Sequence, residues 1–327
     1  MKKENKRGRG MLIFICIVVF LISIIIGIVS KLAIKPSWAK KYSVKWSDDL
    51  GIIYKDISYD DGEANKFDLY LPRDNSKENY GLVVYLHAGG FTQGDKSGDV
   101  EMLSWLCSKG YVVAGINYTL VNETNNKSVL SQSNEIKDAI PKVIEVAEKY
   151  GYNINEMGIA GGSAGHCLAM IYAYRDAIDS PVPVKLTFGA VGPSSFYAED
   201  WDIYGFDRDT EEAREGAANL LGAMGGVNLT KEMIKDGSYI EKLKPVSAVM
   251  WVNENAVPSV VAYGKYDKVQ PFKGSQRLLE SYKKYNVDYK YFEASHSGHG
   301  LQNDNKVFKE YMEAVEEYLD KYMLVEK

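Results

Sequence analysis

From about residue 51 onward the chain alternates short, almost continuously apolar runs with longer segments in which apolar residues recur at helical spacing. Residues 52–54 and 67–71 read as early antiparallel strands, with Asp60-Asp61-Gly62 as a turn between them. Residues 82–86 and 111–116 show no polar face, the mark of strands buried on both sides. Further strands are predicted at 157–160, 185–191, 259–263 and 289–292. Helices are predicted at 102–108, at 135–150 (Ile136, Ile140, Val143, Ile144, Ala147), from 167, at 275–285 and at 308–322. This alternation predicts a mostly parallel central sheet with helices on both faces. Its site should then lie at the carboxyl ends of the strands. Between 192 and 257 the alternation lapses into a stretch rich in Tyr, Trp, Gly and charge, too long for an ordinary connection. It is expected to be an insertion covering the site and shaping a pocket; a peripheral decoration is the alternative.

Ahead of residue 45 the pattern changes. Residues 11–30 are uncharged and almost wholly apolar, long enough to cross about 30 Å of hydrocarbon as a helix, and they lack the polar face of a core helix. A transmembrane helix is expected there. Residues 1–45 then form a basic head, membrane anchor and linker, and 46–327 a single catalytic-sized domain. A cleaved signal peptide would have an apolar region of about 7–15 residues and then a small-x-small site. Lys31-Leu32-Ala33-Ile34-Lys35-Pro36 offers no such site. Cys16 lies inside the run behind Ile15, where lipidation would need a small residue, and is expected to be a membrane-buried thiol. Five basic residues precede the run and five follow it before residue 46, so the charge rule is nearly balanced. The short basic head and first-helix position favour an inside N-terminus and an extracytoplasmic body.

Composition sharpens this division. The formal net charge of −5 hides +9 on residues 1–45 and −14 on the rest. An acidic body argues against nucleic acid or other anionic polymers as partners. With 327 residues and 46% hydrophobic content, the chain can bury a large single core. Cys107 and Cys167 fall in apolar helical contexts, which excludes a disulfide framework and points to buried free thiols.

The candidate chemistry begins at Gly161-Gly162-Ser163-Ala164-Gly165, where an apolar strand meets an apolar helix. So tight a turn pushes a serine hydroxyl out of the sheet edge and crowds its neighbours until a Cβ would collide with backbone. Serine needs a base and oxyanion donors to act as a nucleophile. The chain has four histidines. His299, in Ser295-His296-Ser297-Gly298-His299-Gly300, follows the last strand on a loop that can return an imidazole to Ser163. His296 competes, and the glycines flanking His299 favour the latter. Asp267, just past the strand ending Tyr263-Gly264, can orient that imidazole. The order Ser163, Asp267, His299 is the order expected of an α/β-hydrolase. Ala164 can supply one oxyanion N–H, and Gly89 and Gly90, following strand 82–86, can supply others. His87 and His166 are read as structural residues.

These motifs carry a resemblance. The chain from about residue 53 to 322 resembles the esterase branch of the α/β-hydrolase superfamily, which includes hormone-sensitive-lipase-like esterases and the acetyl- and feruloyl-esterases acting on plant polysaccharides. The matching stretches are Asp68-Leu69-Tyr70-Leu71-Pro72, Val84 to Phe91, Gly94-Asp95-Lys96, Ile116-Asn117-Tyr118, Gly161 to Gly165, Ala248 and Gly264 to Pro271. The family has glycine where this chain has Ala88, commonly glycine at His166, and Val-Pro where this chain has Gln270-Pro271. The resemblance implies hydrolysis of carboxylic esters through an acyl-enzyme, with no metal or organic cofactor, on small acyl groups carried by a bulky or carbohydrate alcohol. A serine peptidase and an acyltransferase share the triad order; a non-catalytic hydrolase-fold adhesion or scaffold protein would need only the fold.

Overall fold

The computed structural model describes residues 37–323. The expected span at residues 11–30 and Cys16 lie outside them; among the described residues no helix is long and apolar enough to cross a membrane. A short 3-10 turn, Ser37–Tyr42, belongs to one unit, and residues from Val44 onward form a second, compact one.

In that second unit an eight-stranded sheet is assembled in the order β1-β2-β4-β3-β5-β6-β7-β8. Strands β1 (Gly51–Ser58) and β2 (Lys66–Pro72) form an antiparallel hairpin, and β2 continues antiparallel to β4 (Val112–Ile116). All other pairings are parallel: β4 with β3 (Tyr80–Leu86), β3 with β5 (Ile154–Gly162), then β6 (Val184–Ala190), β7 (Ser259–Gly264) and β8 (Tyr289–Ala294). Every residue of β4 is buried, as its uninterrupted apolar run requires of a strand covered on both faces. This is the α/β-hydrolase fold.

The covering helices are α1 (Val100–Ser108), α2 (Val129–Lys149), α3 (Ala164–Ile171), α7 (Phe272–Lys284) and α8 (Asn305–Tyr322). Helix α2 begins six residues earlier than its apolar spacing predicts. Ser128 caps it by accepting the Ser131 N–H while Ser131 caps back, a serine version of the capping box. Between β6 and β7 the expected insertion holds α4 (Glu211–Gly225), α5 (Lys231–Asp236), α6 (Tyr239–Leu243) and several 3-10 turns. Thr210 and Thr230 cap α4 and α5, and Gly226, at φ +68°, ends α4 in the left-handed conformation that glycine adopts freely.

Strand order reverses about β3, which has β4 on one side and β5 on the other. In open α/β sheets such a switch point opens a crevice beyond the carboxyl ends of the strands. The loop after β3 and the turn after β5 are brought together there, with Leu86 paired to Gly161. Strands β7 and β8, paired through Gly264 and Ala294, deliver two further loops to the same end.

Candidate active site

Ser163 sits between β5 and α3 at φ +50°, ψ −118°, a conformation rarely held by a residue with a side chain. The turn is enforced by its surroundings. A Cβ on Gly161 would lie 2.4 Å from the Gly165 carbonyl carbon, and one on Gly165 would lie 2.0 Å from the Leu86 carbonyl oxygen. Gly162 differs from expectation: a Cβ there would meet nothing nearer than 3.9 Å, so collision does not explain that glycine. The Ser163 N–H is tied to the Ala190 carbonyl (2.9 Å).

The three chain-distant residues meet. His299 Nε2 lies 2.9 Å from Ser163 Oγ, and its Nδ1 lies 2.7 Å from Asp267 Oδ2. The Asp267 side chain is 1% exposed, and its other oxygen accepts the N–H groups of Val269 (2.8 Å) and Gln270 (3.0 Å). With both oxygens engaged, the carboxylate fixes one face of the imidazole and turns the other nitrogen to the serine. His296 is elsewhere: its ring is 79% exposed and pairs with Asp304.

The loop after β3 has three successive residues at positive φ, Gly89 (+137°), Gly90 (+59°) and Phe91 (+69°). A Cβ on Gly89 would meet the Gln93 carbonyl oxygen at 1.8 Å. Four of the five carbonyl oxygens from His87 to Phe91 are occupied. His87 accepts from the Tyr118 hydroxyl, Ala88 from the His87 ring, Gly89 from Thr92 and Gln93, and Phe91 from Val121 and the Gln132 amide. The lone pairs of those four are thereby engaged away from the site. Gly90 and Ala164 border the cavity at Ser163, and Gly89 precedes Gly90 on the same loop. The Ala164 N–H, in the first turn of α3, lacks an intrahelical acceptor and sits at the positive end of the helix dipole.

His87 and His166 are structural. His87 is 2% exposed and stacks on Tyr118, and burial holds its pKa below the ordinary imidazole value. His166 is fully buried behind the turn and accepts the Gly192 N–H at Nδ1 (3.1 Å); burial pushes its pKa down to about 3. Cys107 and Cys167 are buried free thiols, the first pushed up to about 12 by burial and the second higher still.

The cavity has a volume of about 150 Å³. The insertion contributes Trp201, Tyr204, Leu220 and Met224 to its wall. Trp201 is held by its indole N–H on the Ser195 carbonyl (3.0 Å), and Tyr204 donates to the Val269 carbonyl (3.0 Å) in the loop of Asp267. Asp200 anchors this region by accepting from Ser195 and from Arg277 of α7. The wall also contains Gln270, 2% exposed with its Nε2 unpaired among the described residues; Ala88 is not part of it. The insertion thus shapes the pocket as expected, but Trp201, Tyr204, Leu220 and Met224 carry no motif that marks them for it. Larger hollows of about 700 and 580 Å³ lie away from Ser163.

Fold and turn together define an α/β-hydrolase. The sequence matches the BD-FAE family model over residues 67–282, more than half of the chain, and the chain belongs to that family. It is 31% identical over 144 residues to the kynurenine formamidase of Danio rerio, a stretch covering 43% of this chain and 45% of that protein. The match thus spans less than half the length of that curated relative. Among solved structures, the butyrate-bound esterase Est2 of the Planctomycetes species Thermogutta terrifontis superposes with a TM-score of 0.64 at 19% identity, covering 83% of this chain and 96% of that one. A truncated carbohydrate esterase from gut microbiota gives 0.59 at 18%, covering 84% and 98%. At these identities the likeness concerns the fold.

Proposed function

We propose that the protein is a membrane-anchored serine carboxylesterase that removes small acyl groups from a bulky or carbohydrate alcohol. The observation that carries the reading is the Ser163–His299–Asp267 relay, with two hydrogen bonds of 2.9 and 2.7 Å in line. Ser163 Oγ attacks the ester carbonyl carbon as its proton passes to His299 Nε2. The carbonyl oxygen becomes an oxyanion held by the N–H groups of Gly89, Gly90 and Ala164. Collapse breaks the bond to the alcohol oxygen, which leaves with the proton from Nε2. Water then repeats the sequence on the acyl-enzyme, releasing the carboxylic acid and restoring Ser163. None of these steps calls on a cofactor or metal.

The cavity supports the small acyl group. Taking about 30 Å³ as the share of one water, 150 Å³ holds roughly five such groups, enough for an acetyl to butyryl chain. Membership of the BD-FAE family and the fold shared with a carbohydrate esterase support the alcohol side. The anchor is supported by the uncharged run at 11–30, and membrane fractionation with protease accessibility on intact cells tests it. A panel of acetyl, butyryl, octanoyl and feruloyl esters, run on wild type and Ser163→Ala, tests the chemistry. Turnover should fall at least about 10⁴-fold in the variant, and acetyl esters should outrun octanoyl ones. Near-normal turnover by folded Ser163→Ala would contradict the nucleophile, and faster octanoyl cleavage the acyl preference.

A further inference from the structure

The loop that presents His299 is tied at its base by a carboxylate with no part in the steps above. Asp304 is 9% exposed and stands immediately before α8, where an aspartate ordinarily caps the helix by accepting an N–H from its first turn. It makes no such cap. Its oxygens instead accept the His296 main-chain N–H (3.0 Å), the Ser297 hydroxyl (2.5 Å) and the His296 ring Nδ1–H (2.9 Å). Ser297 Oγ accepts in turn from the Asn303 N–H (2.9 Å), and the Asn303 amide donates to the His296 carbonyl (2.9 Å). Both ends of the loop are thus fastened to one another around Asp304.

Between those ends lies His299, with glycine on each side, and Leu301 at φ +51°, which a leucine adopts only under constraint. Glycines give this segment freedom that would let the imidazole wander. The fastening also reaches the acid of the relay. The Ser297 carbonyl accepts the N–H of Tyr266 (2.9 Å), next to Asp267, and the approach is so close that a Cβ on Gly264 would lie 2.2 Å from the Gly298 carbonyl oxygen.

We propose that Asp304 is a positioning residue for His299, clamping the 296–304 loop so that Nε2 stays within hydrogen-bond reach of Ser163. This rests on the reading of His299 as the base. Misplacement of a reacting group by about 1 Å can cost about 100-fold in rate, so a clamp at the base of a glycine-flanked loop has large leverage. Although burial pushes the Asp304 carboxyl upward, the Ser297 hydroxyl and the His296 donors outweigh it and hold the pKa below the ordinary aspartate value, so the clamp is ionised at neutral pH.

The test uses the full chain and 4-nitrophenyl acetate, comparing wild type, Asp304→Ala, Ser297→Ala and Ser163→Ala, with circular dichroism and thermal melts on each. Asp304→Ala should lower kcat about 10- to 100-fold with KM within about threefold, and slow inactivation by a fluorophosphonate to match. Ser297→Ala, which removes a buried donor to Asp304 and the acceptor of the Asn303 N–H together, should lower kcat several-fold with KM unchanged. A purely structural role would reduce active enzyme only in proportion to the folded fraction. Folded Asp304→Ala with kcat within twofold of wild type overturns the proposal. Should Asp304→Ala not fold, Ser297→Ala decides, and an unchanged kcat there overturns it equally. An inactive Ser163→Ala beside an unimpaired Asp304→Ala rejects the clamp alone, whereas an active Ser163→Ala rejects the relay beneath it.

Discussion

Two histidines three residues apart on one loop each pair with an aspartate, and their hydrogen bonds are nearly alike. His299 meets Asp267 at 2.7 Å and His296 meets Asp304 at 2.9 Å, each through Nδ1 and each to a carboxylate almost removed from water. They differ in what lies beyond the ring. The His299 side chain is 28% exposed and its second nitrogen faces Ser163, while His296 is 79% exposed on the outside of the loop. Pairing with a carboxylate therefore does not make a base. The useful quantity is the reach of the free nitrogen, set by strands β7 and β8 and by the turn after β5.

Removing each ring in turn separates the two pairs most strongly. His299→Ala should lower ester turnover by about 10⁴-fold or more, as loss of a member of such a relay does elsewhere. His296→Ala should leave it within about threefold, because the exposed ring supplies one of three donors to Asp304. Equal losses would show that the pairs are not distinguished by reach. Next in size is Asp267→Asn, which keeps the shape but cannot hold the same tautomer; kcat should fall about 10³- to 10⁴-fold in protein with an unchanged melting temperature. A loss below tenfold would show that the imidazole is oriented by something else.

A smaller effect concerns the histidines that take no part. Burial holds the His166 pKa down to about 3, whereas an unfolded histidine titrates near 6.5. Below the latter value the unfolded chain takes up a proton that the folded chain refuses, so the folded state loses stability as pH falls from about 6.5 towards 3. One such group contributes a slope of up to about 1.4 kcal/mol per pH unit. His166→Asn, whose side-chain oxygen can replace Nδ1 as acceptor for the Gly192 N–H, should flatten the dependence of unfolding free energy on pH over that window. Denaturant melts between pH 4 and 7 measure it, and parallel curves for the two proteins would contradict it.

Much of the sheet and the three relay residues were legible because each leaves a local trace. Fully buried strands read as apolar runs, and Ser163, Asp267 and His299 each stand just past a strand in the required order. What was not legible depends on partners distant in sequence. Asp68, Gly94-Asp95-Lys96 and Asn117 were recognisable only as motifs. In the structure Lys96 is buried against Asp56 (2.7 Å) and Asp68 (3.2 Å), and Asn117 accepts the Lys96 N–H (2.7 Å). They bind β1 and β2 to the loop carrying Gly89 and Gly90, at separations that no periodicity reports. Asp304 was hidden for another reason: an aspartate before a helix looks like a cap, and nothing local shows that its side chain turns back.

The proposed chemistry turns on covalent modification of Ser163 as His299 removes its proton. Its most direct test is the rate and position of labelling by a fluorophosphonate, followed by intact-protein and peptide mass, in wild type, His299→Ala and His296→Ala. A single adduct is expected on the peptide containing Ser163, formed at similar rates in wild type and His296→Ala and slowed by at least about 10³-fold in His299→Ala. An adduct on any other residue, or undiminished labelling of Ser163 in His299→Ala, would contradict it.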